Sequence, residues 1–95
     1  MSYTDHIETV DGDKTKELML FTLSTCIWCM KTKALLKELG KGYDFVDVDL
    51  LEAADKDEAY AKMWEFDKST SFPTVIVNGG DIVLHGFAED DFRSL

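Results

Sequence analysis

The sequence predicts an α/β domain with the element order β-α-β-α-β-β-α. Three stretches predict it. An apolar run at 18–23 leads through Ser24-Thr25 into Cys26-Ile27-Trp28-Cys29, and a helical pattern follows to residue 39. A segment at 43–49 alternates with period two, as a strand does. A proline-led triplet, Val75-Ile76-Val77, is joined by Asn78-Gly79-Gly80 to a second short apolar run, which reads as a hairpin.

Each element has its own signal. A near-continuous apolar run such as 18–23 suits a strand covered on both faces at the centre of a sheet. Ser24 or Thr25 then offers an N-cap oxygen. The first helix carries Leu35, Leu36 and Leu39 as its inner stripe, with Lys31, Lys33 and Lys37 on the solvent side. Gly40 and Gly42 end it. Segment 43–49 reads as an edge or half-buried strand, and a helical crossover of this length makes it parallel to the first, in a right-handed unit. Residues 52–66 read as a second helix, with Tyr60, Met63 and Trp64 toward the core. Pro73, the single proline, opens the third strand, where a missing N–H costs no ladder bond. Residues 81–84 return antiparallel, 85–87 bend, and 88–95 form a last helix. That helix has Glu89, Asp90 and Asp91 at its positive start and Phe92 and Leu95 turned inward. Residues 1–17 are charged and weakly patterned: a tail, with either a short extra strand near 6–10 turned at Asp11-Gly12 or no order. The domain proper is 18–95.

Bulk properties narrow the function. With 95 residues and 45% hydrophobic content there is material for one core. Two cysteines make no disulfide framework, so packing holds the fold, as in a reducing compartment. Residues 1–17 lack the apolar centre of a signal peptide, and no run reaches the roughly 20 residues of a membrane span. The expectation is a cytoplasmic protein. A net charge of −9 argues against nucleic acid or an anionic membrane as partner.

The chemistry concentrates in C-x-x-C. At a strand-to-helix junction this is a redox motif. The first helical turn presents unpaired N–H groups and the positive end of the helix dipole. A thiolate is stabilised there, its pKa falling from about 8.5 to roughly 3.5–7.5. Cys26 takes that place as the attacking thiol. Cys29, three residues on and on the same face, resolves the mixed disulfide. Half a zinc site and inert buried thiols are the competing readings. A zinc site normally needs four ligands, and His6 and His85 are isolated, so no metal is assigned.

The strand–C-x-x-C–helix junction, Ser71-Phe72-Pro73-Thr74 and the Gly79/Gly86 hairpin and bend together resemble the glutaredoxins of the thioredoxin-fold superfamily, over 18–95. The resemblance implies a four-stranded mixed sheet ordered 2-1-3-4 with helices on both faces. It implies a cis Phe72–Pro73 bond facing Cys26, with the Phe72 backbone pairing to the bound thiol peptide. Thr25, Ile27, Trp28, Phe72, Pro73, Gly86 and Phe87 would line the substrate groove. The expected activity is thiol–disulfide oxidoreduction on disulfide-containing protein substrates, by a monomer with no bound cofactor. Iron–sulfur cluster carriage between two subunits and dedicated service to one reductase are the alternatives.

The departures bear on the reductant. Leu23 stands where many glutathione-using members have lysine, Ile27-Trp28 where they have Pro-Tyr, and Ser71-Phe72 where they have Thr-Val. His85-Gly86-Phe87-Ala88 replaces the Gly-Gly, small residue and Asp that hold the γ-glutamyl end. Its Gly-Phe is similar to redoxins that serve ribonucleotide reductase and draw electrons from a flavoprotein. The expected reductant is therefore a small-molecule thiol or a thioredoxin-reductase-type flavoprotein, with glutathione weakly bound. His85 is expected at the edge of the cleft, as a bend residue or a proton donor.

Overall fold

The computed structural model describes residues 2–68 and 70–95. Its strands are β1 (Glu8–Val10), β2 (Leu18–Thr22), β3 (Tyr43–Asp47), β4 (Thr74–Val77) and β5 (Ile82–His85). Its helices are α1 (Ile27–Glu38), α2 (Ala53–Phe66) and α3 (Glu89–Arg93), with short 3-10 turns at Tyr3–His6 and Val48–Leu50. The strands form one mixed sheet ordered β1-β3-β2-β4-β5. The β2–β3 pair is parallel and the other pairs are antiparallel.

The sheet has five strands: the four that the resemblance implied and the short extra one that residues near 6–10 offered as an alternative to disorder. The added strand is β1, which pairs with β3 through Glu8 opposite Phe45 and Val10 opposite Tyr43. It makes β3 an interior strand rather than an edge. Three residues with one partly buried side chain are a weak pattern, and β1 exists because β3 offers an open row of backbone groups. The N-terminal turn is then tied to α2. Glu58 accepts from the Ser2 hydroxyl at 2.7 Å and the Tyr3 N–H at 2.8 Å, and the Tyr3 ring lies 5.8 Å from that of Phe21.

Alternation along β2 and β4 builds the two halves of the core. Leu18, Leu20, Val75 and Val77 face α1 and α3, meeting Leu35, Leu36 and Phe92. Phe21 and Ile76 face the other way, against Ala59 and Met63 of α2. Helices therefore cover both faces, and the continuous apolar runs are explained by burial on both sides.

The inner face of α2 corrects the sequence reading. Asp55, Ala59 and Met63 are buried at i, i+4 spacing, whereas Trp64 is 52% exposed and Tyr60 is also exposed. One residue of helix turns a side chain by about 100°, so both aromatics lie beside the stripe that touches the sheet. Ala59 sits inside because a small side chain lets the helix approach. Trp64 instead lies under the Lys68 ammonium, 5.2 Å from its ring centre.

Candidate functional site

Strand register brings four separate segments to one edge of the sheet. Thr22 pairs with Asp47, Phe21 with Thr74, and Thr74 with His85. The residues just beyond these positions are Leu23 to Cys26, Val48-Asp49, Phe72-Pro73 and Gly86-Phe87. Motifs far apart in sequence thus converge where β2 hands over to α1.

The helix start differs from the sequence reading in an informative way. The N-cap is Cys26 itself, neither Ser24 nor Thr25, and α1 begins at Ile27. The Cys29 N–H donates to the Cys26 sulfur at 3.2 Å, so the sulfur takes the place a cap oxygen usually holds. Ser24 is used elsewhere. Its N–H donates to the Asp49 carboxylate at 2.8 Å and its hydroxyl to the other oxygen of that carboxylate. Partial burial pushes the Asp49 carboxyl up, but these two bonds, with its own backbone N–H and the Lys56 ammonium, together hold the group below its usual value.

The loop carrying Cys26 is therefore clasped by Asp49. Asp49→Asn is expected to destabilise the fold by about 0.5–1 kcal/mol, a charge-assisted bond discounted for solvent. Because the folded pKa lies below the ordinary 3.8, the clasp's stabilisation is complete above that pH. It is lost as pH falls through the lower folded value. Urea unfolding from pH 3 to 7 checks this: the gap between wild type and variant should close on the acid side.

The two thiols are unlike. Cys29 has no exposed surface, while Cys26 is partly exposed. Burial first, and then its hydrogen bond to Cys26, push the Cys29 thiol up to about 12. A backbone N–H at Leu23 and the nearby Lys33 ammonium act in the opposite direction. Lys33 is not on the open solvent face. Its Nζ lies 3.8 Å over the Phe45 ring and 3.5 Å from the Asp47 carboxylate, which also accepts the Thr22 hydroxyl at 2.6 Å. The stem of a lysine packs readily on apolar surface, so spacing on the helix alone did not place this charge.

The remaining site residues fall into two walls. Trp28, half exposed, stacks on Phe87 with ring centres 5.8 Å apart, and the Lys31 ammonium lies 4.6 Å over the Trp28 ring. Gly86, at φ +69°, donates its N–H to the Pro73 carbonyl at 2.8 Å, which joins the bend to the proline loop. The Phe72–Pro73 bond is cis. The Phe72 side chain packs toward α2, edge-on to Tyr60 at 5.9 Å. Thr25 and Ile27 are exposed, and Ile27 stands 61% open next to Cys26.

Three acidic residues at the site escaped the sequence reading. Asp47 and Asp49 appeared only as beats of an alternating strand. Asp67, just past α2, is buried to 5% exposure beneath the proline loop. Its one sequence signal is a helix-ending Asp followed within seven residues by Ser71 and Thr74, a pattern that loops share widely.

Comparisons place this geometry among known proteins. The glutaredoxin family model matches residues 18–82. A glutaredoxin-like 8.6 kDa protein of a rubredoxin operon in Clostridium pasteurianum is 35% identical over 74 residues, covering 78% of this chain and 92% of that one. The glutaredoxin of Methanosarcina mazei Go1 superposes with a TM-score of 0.84 at 39% identity, covering 95% of this chain and 86% of its own. The methanoredoxin of Methanosarcina acetivorans gives 0.76 at 39% identity, covering 88% and 96%. Among the described residues, no helix is long and apolar enough to cross a membrane.

Proposed function

The chain belongs to the glutaredoxin family, a family of redox proteins, and from that premise we propose that it is a dithiol–disulfide oxidoreductase acting on protein disulfides. The observation that carries the proposal is the asymmetry of the thiols: a partly exposed sulfur at the helix start that accepts the backbone N–H of Cys29, whose own thiol is buried. Cys26, as thiolate, attacks one sulfur of the substrate disulfide. The first substrate thiolate leaves and takes a proton from solvent, and a mixed disulfide with Cys26 remains. Cys29 then loses its proton, attacks the Cys26 sulfur and expels the second substrate thiolate. The substrate has gained two electrons and the protein holds a Cys26–Cys29 disulfide. An external small thiol or flavoprotein restores the dithiol.

The surroundings suit this task. Trp28, in the first turn after Cys26, stacks on Phe87 as an apolar platform, and Gly86 ties that bend to the Phe72–Pro73 loop. The direct test is trapping of protein partners with single-cysteine variants.

Glutathione is a poor fit on the same reading. Leu23 brings no charge, and it packs with the α2-side core. Ala88 carries no acceptor, and the His85 imidazole nitrogen is engaged by Asp67 at 2.9 Å. Titration calorimetry with glutathione and the Cys29→Ser protein is expected to give a dissociation constant weaker than about 1 mM. Micromolar binding overturns this part of the reading and leaves the dithiol mechanism intact.

A further inference from the structure

We propose that Asp67 is a positioning residue that sets the substrate-docking backbone at Phe72–Pro73, and so governs protein-substrate affinity rather than the thiol chemistry. This rests on the dithiol reading given above.

Three elements converge on a single carboxylate oxygen. Asp67 closes α2, its own N–H donating to the Met63 carbonyl at 2.7 Å. Its Oδ2 accepts from the Ser71 N–H at 3.1 Å, the Ser71 hydroxyl at 2.8 Å and His85 Nδ1 at 2.9 Å. The Thr74 hydroxyl, which donates to the Ser71 carbonyl at 2.6 Å, lies 3.1 Å from the same oxygen. Ser71 and Thr74 flank Phe72–Pro73, so both ends of the docking loop are referred to one point. His85 ends β5 and precedes Gly86, whose N–H reaches back to the Pro73 carbonyl at 2.8 Å. The loop is thus held from below by Asp67 and from the side by Gly86.

Charge makes this hub strong. A buried carboxylate must be met by donors, and hydrogen bonds to an ionised group are shorter and stronger than neutral ones. Among the described residues, Ser71 and Thr74 meet the carboxylate from the loop and His85 meets it from the end of β5, so it links the two segments as well as holding each. The partners that carry its influence are Ser71, Thr74 and His85, all in the loop or at the end of β5. Its influence on function passes through the placement of backbone, which a docked substrate reads and a small disulfide does not.

Asp67→Asn tests the assignment. The amide turns an N–H2 toward Ser71 and His85 donors or surrenders one of them, and it carries no charge. With insulin as substrate and dithiothreitol as electron source, KM is expected to rise about tenfold or more while kcat changes less than about twofold. The rate of reaction of the reduced protein with 4,4′-dithiodipyridine should match wild type. His85→Ala removes one half-exposed donor and leaves the loop's own bonds. It should raise KM by about threefold, which keeps the test open if Asp67→Asn folds poorly. Amide exchange at Ser71 should quicken about tenfold in Asp67→Asn, with exchange in β2 unchanged. That readout holds even if the chain reduced no insulin, an outcome that would sink the dithiol reading alone. An unchanged KM with unchanged Ser71 exchange overturns the proposal. So does an equal loss of kcat and of the dithiodipyridine rate, which would put Asp67 in the chemistry.

Discussion

Cys29→Ser is expected to accumulate covalent adducts with disulfide-bearing protein partners, and Cys26→Ser to accumulate none and to lose disulfide reductase activity by at least about a thousandfold. The expectation follows from where the sulfurs lie. A substrate disulfide approaches from solvent, and the partly exposed Cys26 sulfur is open to it, while Cys29 shows no surface at all. In Cys29→Ser the first exchange proceeds and the second has no nucleophile, because a serine hydroxyl does not displace a thiolate. The adduct is a disulfide, so dithiothreitol releases the partner, and its mass reports the substrate. In Cys26→Ser the buried thiol, pushed up to about 12, meets no substrate. Non-reducing gels of lysate incubated with each purified variant decide the matter. Equal trapping by both variants would exchange the two roles. An absence of trapping by either, with an active wild type, would remove the mixed disulfide from the mechanism.

Much of this site was legible in the sequence, for reasons that are local. The C-x-x-C sits between a run too apolar for anything but a central strand and a helix with a clear leucine stripe, so β2 and α1 follow from periodicity. The register follows less directly: Thr22 against Asp47 and Thr74 against His85 emerge only once the sheet is assembled. Three features were not legible, or only half so. The sequence offered β1 as one of two readings of the tail and could not choose, because the strand depends on an open strand edge rather than on its own pattern. The sequence reading sets Tyr60, Met63 and Trp64 toward the core, whereas helical phase puts Asp55 and Ala59 inside with Met63. The charged groups Lys33, Asp47 and Asp67 are ordinary letters in polar stretches. Their positions are set by tertiary packing over Phe45, under Thr22 and beneath the proline loop. The N-cap misreading has the opposite lesson. Ser24 and Thr25 are the better cap formers by propensity, but Asp49 captures Ser24, and the helix starts on sulfur.

The resolving step is expected to quicken about tenfold per pH unit from pH 6 upward, and Lys33→Met is expected to slow it about tenfold at pH 7. In the free dithiol the Cys29 thiol, pushed up to about 12, stays protonated at neutral pH. Burial is the largest cause. The next upward influence is the hydrogen bond to Cys26, and the charge of Cys26 adds to it. Formation of the mixed disulfide consumes the Cys26 thiol, so both influences from that sulfur fall away. What remains is burial, opposed by the Leu23 N–H and the Lys33 ammonium. The Cys29 pKa in the mixed disulfide therefore lies below 12, and the first chemical step prepares the second. Its sign is fixed: a raised thiol pKa withholds the nucleophile at low pH and yields it as pH rises, so the rate climbs and levels off where Cys29 titrates. Lys33 stands one helical turn beyond Cys29 on the same face, held there by Asp47 and the Phe45 ring. Its removal takes away the attraction for the Cys29 thiolate and leaves Asp47 without its ammonium, and both effects move the plateau to higher pH. Lys33→Arg keeps the charge and should keep most of the rate. Lys37→Met, an exposed charge on the helix's last turn, should behave as wild type. The measurement is single-turnover release of thionitrobenzoate from a mixed disulfide preformed at Cys26, followed between pH 6 and 10. A flat profile over that range would show that Cys29 deprotonation does not limit the step, and a wild-type rate in Lys33→Met would remove Lys33 from it.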